Sequence, residues 1–120
     1  MIAIGSDHGG FELKGHIIEH LKEKGIEVKD FGTYSEASVD YPDCAKPVCK
    51  AVLDGECECG ILICGTGIGI SMAANKFKGI RAALCGDVFS AKMSKEHNNA
   101  NVICLGGRVL GRELANMIVD

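Results

Sequence analysis

The chain has no tryptophan and only 5% aromatic residues, so its interior has to rest on Ile, Leu, Val, Ala and Met. Long apolar runs are also missing. Stretches such as Gly60–Cys64 fall far short of the roughly 20 apolar residues that a bilayer-spanning helix needs. The N-terminus MIAIGSDHGG lacks a basic region followed by an apolar stretch, so no secretory leader is read there. Basic residues are not in excess: 13 Lys and Arg face 16 Asp and Glu, for a formal net charge of −3. That balance argues against nucleic acid as the main partner, but a small phosphorylated ligand needs only a few local donors. The expectation is a soluble, cytoplasmic, single-domain chain of 120 residues. With 47% hydrophobic residues it can bury a core, although so short a chain gains from oligomerisation.

Cysteine is plentiful: Cys44, Cys49, Cys57, Cys59, Cys64, Cys85 and Cys104. The number is odd, no leader is read, and the spacing makes no disulfide framework. Cys57-Glu-Cys59 is a C-x-C with no second pair at zinc-site spacing, so no metal site is expected. Most of these thiols read as small buried hydrophobes.

Apolar runs alternate with helical periodicity along the chain. Ile2–Ser6 reads as a first strand, followed by a helix from Gly9-Gly10 to about Lys24, with Leu13, Ile17 and Leu21 on one face and Gly25 past its end. Ile26–Phe31 alternates as a second strand, and 32–41 is a polar loop. Pro42 opens a helix to about Leu53, closed by Asp54-Gly55. Strands are then expected at Ile61–Cys64, Ile80–Leu84 and Val102–Leu105. Helices are expected at Gly67–Lys76 and Val88–His97, and from near Gly111 onward. This βα alternation implies an α/β three-layer, doubly wound, Rossmann-like sandwich around a five-stranded parallel sheet. Ligands of such sheets bind beyond the carboxyl ends of the strands. Asp7-His8, Cys64–Gly69 and Gly106-Gly107-Arg108 all fall there.

Gly65-Thr66-Gly67-Ile68-Gly69 allows a tight turn that presents N–H groups at a helix start, suited to an anion; on residues alone it serves equally as a packing turn. A dinucleotide fingerprint would need a third glycine where Ile70 stands, and a phosphate loop would need G-K-[ST] where Gly69-Ile70-Ser71 stands. Cys64 directly precedes the loop. A free thiol titrates near about 8.5, and a helix N-terminus lowers that value. A thiolate there would take a proton from carbon while the loop N–H groups stabilise the resulting oxyanion, the pair of functions that aldose–ketose isomerisation through an enediolate requires. A buried strand-end cysteine is the alternative. His16 and His20, one turn apart among Glu12, Glu19 and Glu23, are expected to face solvent. His8 lies at a strand end beside Asp7, and His97 ends a helix in Glu96-His97-Asn98-Asn99; each suits acid–base work or a structural role. Arg108 would grip a phosphate or pair with a surface acid, and Tyr41 would present its hydroxyl to a sugar or pack a turn.

The segments IAIGSDHGGFELK (2–14), VDYPD (39–43), GILICGTGIGISMAANK (60–76), GIRAAL (79–84) and KEHNNANVICLGGRVLG (95–111) resemble, in order and over essentially the whole chain, the ribose-5-phosphate isomerase type B family, which includes galactose-6-phosphate isomerase subunits. The resemblance implies that Cys64 shuttles the proton between C1 and C2 of an open-chain sugar. Thr66 and the backbone of Gly65, Gly67, Ile68 and Gly69 would hold the enediolate. It implies that His97 opens the furanose ring, that Asp7 and His8 bind hydroxyls or phosphate, and that Tyr41, Asn98 and Arg108 complete the pocket. No metal or organic cofactor is implied. An obligate homodimer, and a tetramer of two such dimers as a larger assembly, would share active sites, with residues 95–108 supplied by the partner. Family members usually continue past the position of Asp120 with a helical tail whose arginines bind phosphate. Those positions do not exist here, so the resemblance leaves either a truncated chain or a phosphate held by fewer groups. Interconversion of ribose 5-phosphate and ribulose 5-phosphate is the leading expectation. The alternatives are a six-carbon substrate, such as galactose or allose 6-phosphate, and a non-catalytic phosphosugar-binding subunit.

Overall fold

The computed structural model describes residues 1–35 and 37–120. Its strands are β1 (Ile2–Ser6), β2 (Val28–Asp30), β3 (Cys59–Cys64), β4 (Ala82–Leu84) and β5 (Val102–Gly106). Its helices are α1 (Phe11–Glu23), α2 (Tyr41–Leu53), α3 (Ile68–Ala74), α4 (Val88–Glu96) and α5 (Arg112–Val119), and a 3-10 turn at His8–Gly10 precedes α1. The strands form one sheet in the order β2-β1-β3-β5-β4, and every pairing is parallel. The expected sandwich is therefore present. Among the described residues, no helix is long and apolar enough to cross a membrane.

Side-chain alternation in the central strands divides the core in two. Ile61 and Ile63 of β3 face a cluster with Leu13, Ile17 and Leu21 of α1 and Ala115 and Ile118 of α5. Leu62 and Cys64 face the other layer, with Val48 and Cys49 of α2 and Ile70 and Ala74 of α3. That period of two places the Cys64 side chain on the α2/α3 side, at the last position of a buried strand.

The edge strands are shorter than their sequence patterns. Ile26 is exposed and its N–H turns back to Leu21 O, so β2 begins only at Val28. The Ile80 side chain is buried, but its N–H closes a turn on Phe77 O, and Arg81 N–H goes to Asn101 Oδ1. Helix α3 is also shorter than the expected span from Gly67 to Lys76. Gly67 stands before it in the left-handed region at φ 84°, and Asn75 ends it by exchanging side-chain hydrogen bonds with the backbone of Ala82.

The expectation that His16 and His20 face solvent is corrected. Both are half-buried, because α1 packs on α5 along a seam with matching four-residue steps. Arg112 donates to Glu12 Oε1 at 3.3 Å near one end of the seam, and His20 Nε2 lies 2.8 Å from Asp120 Oδ1 near the other. Between these pairs, His16 Nε2 and Asn116 Oδ1 are buried without a hydrogen-bond partner among the described residues. The charged neighbours Glu12, Glu19 and Glu23 masked this seam in the sequence.

Candidate active site

Three strand ends are laced together at the carboxyl edge of the sheet. Asp7 N–H donates to Ile63 O at 3.1 Å, Gly107 N–H to Cys64 O at 2.8 Å, and Arg108 N–H to Gly65 O at 3.0 Å. These bonds bring Asp7-His8, Cys64–Gly69 and Gly107-Arg108 side by side, as the strand-end rule requires. The approach is close enough to require glycine: a Cβ on Gly107 would lie 2.7 Å from Gly9 O.

Cys64 is 5% exposed, and its sulfur accepts the Gly67 N–H at 3.1 Å. The left-handed conformation of Gly67 turns that N–H back onto the strand end. Helix α3 has only seven residues, so the direct N–H···S bond, rather than a long helix dipole, carries the electrostatic argument. Thr66 is exposed, and its Oγ1 accepts the Ile68 N–H at 3.1 Å, which leaves the hydroxyl proton for another acceptor. The Tyr41 ring packs on the loop, since a Cβ at Gly69 would meet its Cζ at 2.9 Å.

Asp7 is buried, and its Oδ1 accepts the Gly9 N–H at 2.8 Å, capping the 3-10 turn. His8 Nδ1 accepts the Val39 N–H at 3.2 Å, so Nε2 carries the proton of the neutral ring. Behind this edge, burial raises the Cys44 thiol, with Asp7 and Asp43 raising it further and Lys14 opposing them.

Beside the loop, a cavity of about 410 Å³ is lined by His8, Gly9, Glu12, Leu13, Gly107, Arg108 and Arg112. Arg108 connects it to the glycine loop: a Cβ on Gly65 would lie 3.5 Å from Arg108 Cδ and 3.6 Å from its Nη1. Two guanidinium groups and a histidine around one hollow suit an anionic group such as phosphate. Cys64 and Thr66 do not line this hollow, so the arrangement has a basic cavity and a thiol loop as adjoining parts. Arg108 thus lies against the crevice of its own chain.

His97 and Asn98 are not part of this assembly. They are exposed at the end of α4, where His97 N–H bonds Met93 O at 2.8 Å. The chain then enters β5 at Val102, whereas Gly106, at the other end of β5, pairs with Cys64. The length of β5, about 13 Å at roughly 3.3 Å per residue, separates the two ends.

Arg112, Glu12 and Lys14 are site-adjacent residues that the sequence reading did not single out. Arg112 lies four residues past Arg108, at the start of α5, a spacing that is visible in Arg108-Val109-Leu110-Gly111-Arg112. Lys14 shares the buried face with Ile17 and Leu21, and a lysine at that spacing was the available signal.

The ribose/galactose isomerase family profile matches residues 2–120. Ribose-5-phosphate isomerase B of Escherichia coli is 57% identical over 119 residues, spanning 99% of this chain and 80% of that protein. The galactose-6-phosphate isomerase subunit LacB of Clostridium acetobutylicum is 48% identical over 120 residues, spanning 100% of this chain and 69% of that protein. The solved ribose-5-phosphate isomerase B of Clostridium thermocellum superposes with a TM-score of 0.98 at 59% identity, over 99% of this chain and 80% of that one.

Proposed function

The chain belongs to the ribose/galactose isomerase family and is a sugar-phosphate isomerase, and we propose that it interconverts ribose 5-phosphate and ribulose 5-phosphate with Cys64 as the base. The observation that carries the catalytic part is the Gly67 N–H aimed at the Cys64 sulfur from 3.1 Å. The Cys64 thiolate removes the C2 proton of the open-chain aldose, and that electron pair forms the C1–C2 double bond as charge develops on O1. The N–H groups of Gly65 and Gly69 and the free hydroxyl proton of Thr66 offset this charge, while the N–H groups of Gly67 and Ile68 stay on Cys64 Sγ and Thr66 Oγ1 and hold the loop in shape. The thiol then returns the proton to C1, while O1 and O2 exchange a hydroxyl proton, giving the ketose. Arg108, His8 and Arg112 hold the phosphate in the adjoining cavity, Asp7 and Tyr41 border the sugar, and no metal or organic cofactor enters the scheme.

His97 and Asn98 act in this scheme from a second copy of the chain, His97 by opening the furanose ring. Their place at the far edge of their own sheet supports that supply. So do the exposed apolar side chains Ile68, Met72, Leu84, Val88 and Phe89, which a homodimer would cover. Seven free cysteines fit a reducing, cytoplasmic setting.

The similarity to a galactose-6-phosphate isomerase subunit supports a second reading, a six-carbon substrate. Turnover of ribose 5-phosphate, galactose 6-phosphate and allose 6-phosphate at equal concentration separates the two. The five-carbon substrate is expected to give the highest kcat/KM. A higher value for a six-carbon sugar would replace it, and binding without turnover of any would point to a non-catalytic subunit.

A further inference from the structure

We propose that Lys14 is a positioning residue for the site, holding the segment after β2 so that the Val39 N–H fixes the ring of His8 with Nε2 as its donor. Lys14 lies on the buried face of α1, and its side chain is 2% exposed. Its ammonium group meets three acceptors: Asp30 Oδ1 at 2.7 Å, Asp30 Oδ2 at 2.8 Å and Thr33 O at 2.6 Å. Three acceptors use all three of its protons. The ammonium also lies 5.5 Å from the Phe11 ring centroid and 5.3 Å from that of Tyr34.

An ion pair of this kind adds little net stability compared with a well-packed apolar side chain, because the Lys14 charge must leave water and the Asp30 charge must do so in part. Its effect is geometric. Asp30 Oδ1 also accepts the Gly32 N–H at 2.8 Å, and the Tyr34 hydroxyl donates to Asp30 O at 3.0 Å. Thr33 N–H donates to Ser6 O at 2.7 Å, and Ser6 N–H donates to Gly32 O at 2.8 Å. Residues 30–34 are thereby fixed against the end of β1, directly before Asp7 and His8. The same segment reaches the site again at Val39, whose N–H donates to His8 Nδ1, and then at Tyr41, whose ring rests on Gly69. Lys14 is thus a single cation inside the fold from which the outer wall of the crevice is hung. An apolar residue on that face would pack against the core but would leave Asp30 and Thr33 O without their common donor.

The role in turnover rests on the sugar-phosphate reading, whereas the effect on His8 does not. In Lys14→Met, the Val39 amide is expected to lose hydrogen-exchange protection, and His8 to lose its single Nε2–H tautomer in 15N NMR. Turnover of ribose 5-phosphate should fall about tenfold or more in kcat/KM, mainly through KM, since misplacement of a binding group by about 1 Å can cost up to about 100-fold. If Lys14→Met does not fold, Asp30→Asn, at a partly exposed position, removes the charge and is read in the same way. A folded variant with the His8 tautomer, Val39 protection and KM unchanged would overturn the proposal, even if its melting temperature fell. Lack of turnover by the wild-type chain would sink the isomerase reading alone, because the tautomer and exchange data would still decide for or against Lys14.

Discussion

Replacing Gly67 by alanine tests the geometry of the thiol loop through stability. Gly67 has φ 84°, and for an L-residue the left-handed region costs about 1–2 kcal/mol. The added Cβ would lie 2.5 Å from Leu84 Cδ1 and 2.9 Å from the backbone carbon of Leu105. The leucine tip can rotate aside, but β5 is a central strand and cannot, so overpacking adds about 1–3 kcal/mol. Together these give about 2–5 kcal/mol, a large share of the roughly 5–15 kcal/mol that stabilises a domain. With about 2.1 cal/mol/K per residue, unfolding 120 residues changes the entropy by about 0.25 kcal/mol/K, so the melting temperature should fall by roughly 8–20 °C. Calorimetry at matched protein concentration reads this directly. Gly15→Ala is the control: it sits inside α1, a Cβ there meets nothing within 4 Å, and it should gain about 0.4–1 kcal/mol. A Gly67→Ala protein melting within about 2 °C of wild type, a loss of only some 0.5 kcal/mol, would refute the account of the turn.

Arg108→Ala removes a charge-assisted contact of about 1.5–3 kcal/mol, so KM for ribose 5-phosphate should rise about 10- to 150-fold with a smaller change in kcat; a rise below about twofold would remove Arg108 from the phosphate cavity. Burial pushes the Cys49 thiol up to about 11 and that of Cys104 higher still, so iodoacetamide near pH 8 should leave both unmodified in the native protein, as peptide mass spectrometry can check. Because the folded state holds these protons more tightly than the unfolded chain does, their contribution is complete below the ordinary thiol range. It is lost as pH rises through the folded values, at up to about 1.4 kcal/mol per pH unit for each thiol. Denaturant midpoints that stay level from pH 8.5 to 11 would contradict this.

The parts most legible in the sequence were those with strong local physics. β1, β3 and β5 are buried on both faces and read as apolar runs, and their carboxyl ends correctly predicted that Asp7, His8, Cys64 and Arg108 would come together. The edge strands were overread because hydropathy reports burial and not pairing: Ile80 is in the core, yet its N–H belongs to a turn. His16 and His20 were misplaced because the surface that covers them, α5, lies about a hundred residues away along the chain. Lys14 was invisible as a functional residue because its acceptors, Asp30 and Thr33 O, meet it only after α1 folds against β2 and the segment that follows. Arg112 becomes a candidate only when the cavity brings it beside Arg108 and His8.

The proposed role of Cys64 is to move the proton. Its most direct test is exchange of the C2 hydrogen of ribose 5-phosphate with deuterated solvent, followed by proton NMR for the wild type and for Cys64→Ala. Rapid exchange is expected with the wild type and none above background with the variant, while the variant still binds the sugar phosphate through the arginine-lined cavity. Exchange persisting in Cys64→Ala would contradict it and assign the base to another residue.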